Sequence, residues 1–157
     1  MGKAGYKAST EGAVALVASA TKSVLGVLAP AQFGCDLKKI RVSFDQTTAM
    51  LGVDCELCAA TFATNAPGTA STTVTVTQTY GRAITAGFTA AKNWTTEPTV
   101  LTVLDEFFLD PNKGTVLYDF PLGDTPDNDV SKGFVIRCVT QASTTPNVRA
   151  SMWFERC

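Results

Sequence analysis

The clearest alternation in the chain is Leu37-Lys-Lys-Ile-Arg-Val-Ser-Phe44, where Ile40, Val42 and Phe44 share one face and Lys39, Arg41 and Ser43 share the other. A two-residue period of this kind marks a strand with one side on a core and one in water. The last segment repeats it, with Val148, Ala150, Met152 and Phe154 set against Arg149, Ser151 and Trp153, and Arg156 beyond them. Other short runs rich in β-branched residues lie at 13–18, 23–29, 50–62, 72–80, 99–109, 115–120 and 133–140. Gly, Pro, Asn and Asp separate them, a spacing that predicts an all-β sandwich or barrel.

Within these runs the details carry expectations. Residues 13–18 and 23–29 read as an N-terminal hairpin across Ser19-Ala-Thr-Lys22, with Pro30 ending its second strand. A helix over Glu11 to Leu28 is the alternative, but the apolar residues there are small or β-branched and form no 3.6-residue stripe. In 50–62, Val53, Cys55 and Leu57 face one way before the pattern slips at Cys58, as it does at a β-bulge. The Thr and Val alternation of Thr72 to Tyr80 predicts one strand near a surface or an edge. Residues 133–140 are expected to pair with 147–155 across Gln141-Ala-Ser-Thr-Thr-Pro146. Gly81 to Glu97 reads as a long connection carrying Phe88 and Trp94, and connections of that length are functional or pinned by a partner.

Leaving out 13–18, about eight strands remain, the number in a double-sheet jelly roll. The predicted fold is therefore a jelly-roll-like or other Greek-key β-sandwich. One domain over residues 1–157 accommodates it, with residues 1–12 as an N-terminal arm. The chain is 45% hydrophobic and 17% charged, enough apolar material for a core and too little charge for a disordered chain.

Charge and chemistry narrow the function. Thirteen Lys and Arg stand against fourteen Asp and Glu, with no basic run interleaved with aromatics, so direct nucleic-acid binding is not expected. Histidine is absent, which removes the commonest general base and the commonest metal ligand. No nucleophile elbow, Walker loop or dinucleotide fingerprint occurs. Asp105 and Glu106 are adjacent on a strand and point to opposite faces, which is not the geometry of a paired-carboxylate acid and base. The chain reads as a non-enzyme without a cofactor.

Five cysteines, Cys35, Cys55, Cys58, Cys138 and Cys157, form an odd set read as mostly reduced. Cys55-Glu-Leu-Cys58 has the C-x-x-C spacing of zinc and redox sites, but no second pair and no following helix accompany it. The odd separation puts the two thiols on opposite faces of an unbroken strand, as small buried hydrophobes. Asp124, Asp127 and Asp129 lie in one loop that reads as a solvated turn, since it lacks the glycine and terminal glutamate of an EF-hand. Asn93-Trp-Thr95 has the spacing of a glycosylation acceptor. Lys3, Lys7 and the apolar Ala13 to Ala20 imitate a short signal peptide, but Glu11 interrupts it. No run reaches the ~18 residues of a membrane span. A soluble, unanchored chain is the expectation.

Four phrases together carry a resemblance: Lys38-Lys-Ile-Arg-Val-Ser-Phe44, Thr64-Asn-Ala-Pro-Gly-Thr-Ala-Ser71, Asn93-Trp-Thr-Thr-Glu-Pro98 and Val148-Arg-Ala-Ser-Met-Trp-Phe-Glu-Arg156. In them the chain resembles small head-associated virion proteins of tailed bacteriophages. That resemblance implies a capsid decoration or cement protein, made in the host cytoplasm and bound to the major capsid protein lattice on the outside of the head as a homotrimer. On this reading the N-terminal arm, with Lys3, Tyr6 and Lys7, and the Phe88 to Trp94 loop are the contact elements, joined by Trp153 on an outer strand face. A carbohydrate- or receptor-binding module using Trp94, Trp153 and the Asp124 to Asp129 loop is the alternative, and a tail or neck component is a third.

Overall fold

The computed structural model describes residues 4–157, and all of its regular elements are strands. In chain order they are β1 (Gly5–Ser9), β2 (Val14–Ala15), β3 (Thr21–Leu28), β4 (Cys35–Asp45), β5 (Val53–Ala60), β6 (Thr72–Val74) and β7 (Thr77–Tyr80). They continue as β8 (Thr89–Lys92), β9 (Leu101–Leu109), β10 (Thr115–Asp119), β11 (Asp127–Asn128), β12 (Gly133–Val139) and β13 (Asn147–Arg156). Two antiparallel sheets face each other. Sheet A runs β10-β4-β13-β1-β7, with β11 and β2 as short additions, and sheet B runs β6-β8-β3-β12-β5-β9.

The pairing is nested. β1 pairs with β13, β3 with β12, β4 with β10, and β5 with β9, as if one long hairpin were rolled into two layers. Contacts between successive turns of the roll, β13 with β4 and β12 with β5, close each layer. The two sheets make the all-β sandwich predicted from the sequence, with β1 taking a place in it that the prediction gave to 72–80, and residues 61–100 form an excursion at the tip of the rolled hairpin. Its strands β7 and β8 extend the two sheets beside β1 and β3, and β6 adds to β8.

Several local expectations are corrected. The residues expected to form an N-terminal arm instead place β1 inside sheet A, flanked by β13 and β7. Tyr6, Ala8 and Thr10 alternate into the interior, and that short period overrides the polar composition. Residues 13–18 and 23–29 form no hairpin, because β2 joins β13 in sheet A while β3 lies in sheet B. β12 and β13 likewise sit in different sheets, so 141–146 crosses the sandwich instead of turning a hairpin. The Thr-rich segment at 72–80 is divided between β6 in sheet B and β7 in sheet A. The 81–97 connection contains β8, whose Ala90 and Ala91 are small enough to be buried on both faces.

The main core lies between the sheets. Phe134, Ile136 and Cys138 of β12, Leu25 and Val27 of β3, and Cys55 and Leu57 of β5 meet Ile40 and Val42 of β4 and Met152 and Phe154 of β13. A smaller cluster lies on the outer side of sheet B, where Trp94 covers Cys58, Ala60, Ala91 and Val135. Cys55 and Cys58 therefore face opposite ways, as their spacing requires, and β5 shifts register against β9 between Leu57 and Cys58 where the bulge was expected.

Candidate interaction surface

The two sheets are unequally covered at their sides. On one side the 61–100 excursion extends both sheets with the short strands β7, β8 and β6, and its Trp94 covers the outer face of sheet B. On the other, β9 ends sheet B and β10 ends sheet A, joined by the tight turn Asp110 to Gly114, whose Lys113 and Gly114 amides donate to the Asp110 carbonyl. Both strands have one edge without a strand neighbour. An unpaired edge presents a row of backbone donors and acceptors to any approaching chain.

The side chains on these edges are apolar and exposed. Cross-strand partners share a face, so the pairing of Phe108 with Asp54, Glu106 with Glu56 and Val103 with Cys58 puts those β9 residues on the outer face of sheet B. Leu117 opposite Arg41 lies on the outer face of sheet A, while Tyr118 opposite Ile40 lies at the mouth between the sheets. Phe108 and Leu117 are each 59% exposed, and Leu122, on the loop after β10, is 96% exposed. Val103, Leu104 and Tyr118 are exposed as well. Tyr118 is braced edge-on by Phe120 at 4.6 Å between ring centres. Sequence reading located both strands but did not single out this side, because an edge is defined by the partner a strand lacks.

Of the residues expected to make contacts, Lys3 lies outside the described residues. Tyr6, Phe88 and Trp94 are buried, and their assignment to an exposed surface is corrected. Tyr6 stacks among Phe88 and Phe154 and donates its hydroxyl to the Ile84 carbonyl at 3.1 Å. Phe88 also packs edge-on against Phe33. Trp94 donates Nε1 to the Asn65 carbonyl at 2.8 Å and rests over Gly26, where a Cβ would come within 2.7 Å of its ring. The excursion is thus pinned by its aromatics instead of presenting them.

Lys7 and Trp153 do reach the outer surface, side by side on sheet A. The Lys7 Nζ lies 4.9 Å from the Trp153 ring centre, with the Lys39 Nζ at 5.6 Å and the Arg41 guanidinium at 5.8 Å. Lys39 is paired with Asp119 at 2.9 Å, and nearby Arg149 with Asp45 at 3.2 Å. Among the described residues Lys7 and Arg41 have no carboxylate at ion-pairing distance. The indole is therefore the centre of a cationic patch. Beside it, Tyr80 lies flat over Gly5 and donates its hydroxyl to Glu155. Burial, then that hydrogen bond, push the Tyr80 phenol up to about 12.

Chemistry elsewhere is sparse. Among the described residues no three His, Cys, Asp or Glu side chains gather as a metal site. Asp127 and Asn128 pair with β4 instead of forming a free loop, and the Asp129 carboxylate accepts the Val130 amide. Trp94 and Trp153 lie on outer faces of different sheets, so they do not converge with the acidic loop on one site. Cys55 and Cys138 are cross-strand partners with sulfurs 3.8 Å apart, both buried. Burial pushes the Cys58 thiol up to about 11 and raises Cys35 further, so neither is a reactive thiolate. No helix among the described residues is long and apolar enough to cross a membrane. The chain matches no protein-family model, no curated protein and no solved structure.

Proposed function

We propose that this chain is a structural protein of a phage virion, a decoration protein that binds the outer lattice of the head and stabilises it. The observation that carries the reading is the open side of the sandwich, where the edge strand β9 exposes Val103, Leu104 and Phe108, the edge strand β10 exposes Leu117 and Tyr118, and the loop after it exposes Leu122. Large apolar side chains exposed along unpaired strand edges mark a site for another protein. A rigid β core supports it, and small copies arrayed on a lattice add many modest contacts whose repetition supplies the strength. In this reading the copies sit as a homotrimer at symmetry positions of the major capsid protein lattice, and no cofactor or nucleic acid takes part.

Co-sedimentation of the purified protein with empty, undecorated phage shells tests the reading. Saturable binding at a fixed ratio to shell subunits is the expected result, with weaker binding by the Phe108→Asp/Leu117→Asp double variant. A folded protein that stays in the supernatant at every shell concentration would refute it.

A further inference from the structure

We infer that the open side is covered by a second copy of this chain, in a head-to-tail contact that sets the β9 edge of one copy against the Trp153 face of the next. The inference rests on the reading of that side as an assembly surface, and it names what occupies it.

The charges are complementary across two separate patches. Along the β9 edge, Glu106 and the neighbouring Asp54 of β5 lie on the outer face and Asp105, opposite Leu57, at the mouth between the sheets, all exposed and without an ion pair among the described residues. The Trp153 face offers Lys7 and Arg41, equally without carboxylate partners, and Leu117 borders it. Each patch also supplies apolar surface to shield those charges, Phe108 and Val103 on one and the indole on the other. Patches of opposite sign steer copies together and fix their orientation.

The alternative two-fold contact is disfavoured by position. Asp105 and Glu106 are the fifth and sixth of the nine residues of β9. An antiparallel pairing of two β9 edges about their centre would set the two Asp105 carboxylates directly opposite each other, and like charges directly opposed weaken a sheet contact. A heterologous contact avoids this and closes into a ring when its rotation permits.

The size is also adequate. Nine residues at ~3.3 Å each span about 30 Å, and two layers ~10 Å apart with their side chains give a side about 20–25 Å wide. The product, roughly 600–750 Å², approaches the ~800 Å² per partner of a stable interface. A ring of copies would also present repeated contacts to a shell.

Sedimentation velocity with paired charge reversals tests the inference, with circular dichroism to confirm that each variant is folded. The wild type is expected to form a discrete oligomer that weakens as salt is raised. Asp105→Lys/Glu106→Lys and Lys7→Glu/Arg41→Glu are each expected to weaken it roughly 100-fold. The variant carrying all four substitutions restores complementarity and is expected to reassemble. A monomeric wild type, or pair variants that assemble like the wild type, would overturn the inference, as would failure of the fourfold variant to reassemble while folded. Shell binding by a strictly monomeric wild type would sink this contact and leave the decoration reading standing. An oligomer that ignores shells would do the reverse.

Discussion

Trp94 shows how one residue was legible in kind but not in place. Its aromatic bulk within a loop pointed to a contact, and the contact is internal, because Gly26 opens a slot in sheet B and Asn65 supplies a carbonyl for the indole N–H. Truncating Trp94 to Ala removes a plug 1% exposed and is expected to cost about 3–5 kcal/mol in chemical denaturation. Gly26→Ala should cost about 1–3 kcal/mol by pressing a methyl into the same ring. The thiols make a second check at this scale. Cys157 is exposed and the other four cysteines are buried, so an aromatic disulfide reagent is expected to find one fast thiol in the folded protein and five after unfolding. More than one fast thiol in the native state would contradict the packing. Tyr80 supplies a pH signature. Its folded phenol is raised above the ordinary value of 10, so its share of stability is complete below pH 10 and is lost as pH rises through about 12. Alkaline difference absorbance of Tyr80→Phe should lack this late-titrating phenol.

At the scale of elements, the strands were legible wherever alternation was strong and long-range partners were not. β4 and β13 were visible except for one or two residues at their ends because each has one wet face and one dry face, and the slip at Cys58 was visible because a bulge breaks parity. β1 was hidden by its polar ends, although Tyr6 and Ala8 alternate with Lys7 and Ser9. β8 was hidden because the Ala, Ala and Lys that follow Thr89 disfavour a strand, and tertiary pairing with β3 and β6 makes them one. The expected pairing of 133–140 with 147–155 failed for a related reason. A short connection can cross between layers as easily as it can turn within one, and local pattern does not distinguish the two. The entry to β9 carries strain of its own, since Val100 holds φ at 62°, a region that β-branched residues avoid. Val100→Gly is expected to relieve it, raising stability by about 1 kcal/mol in thermal or urea unfolding. A loss of stability would show that the exposed valine side chain contributes more than its backbone costs.

For the whole molecule, the fold class followed from strand number and punctuation, while the side proposed for assembly followed only from topology. The rolled hairpin places its tip, residues 61–100, on one side, where it extends both sheets and supplies the Trp94 plug. The opposite side is left with two bare edges and exposed Phe108, Leu117 and Leu122. That asymmetry is the basis for reading the chain as an assembly protein. Amide hydrogen exchange, followed along β9 and β10 in dilute free protein and again in protein bound to shells, tests this most directly. The account predicts that the outward-facing edge amides exchange fast in the free monomer and become protected on assembly, while β3 and β12 stay protected throughout. Assembled protein whose β9 and β10 edges still exchange as in the free monomer would contradict it.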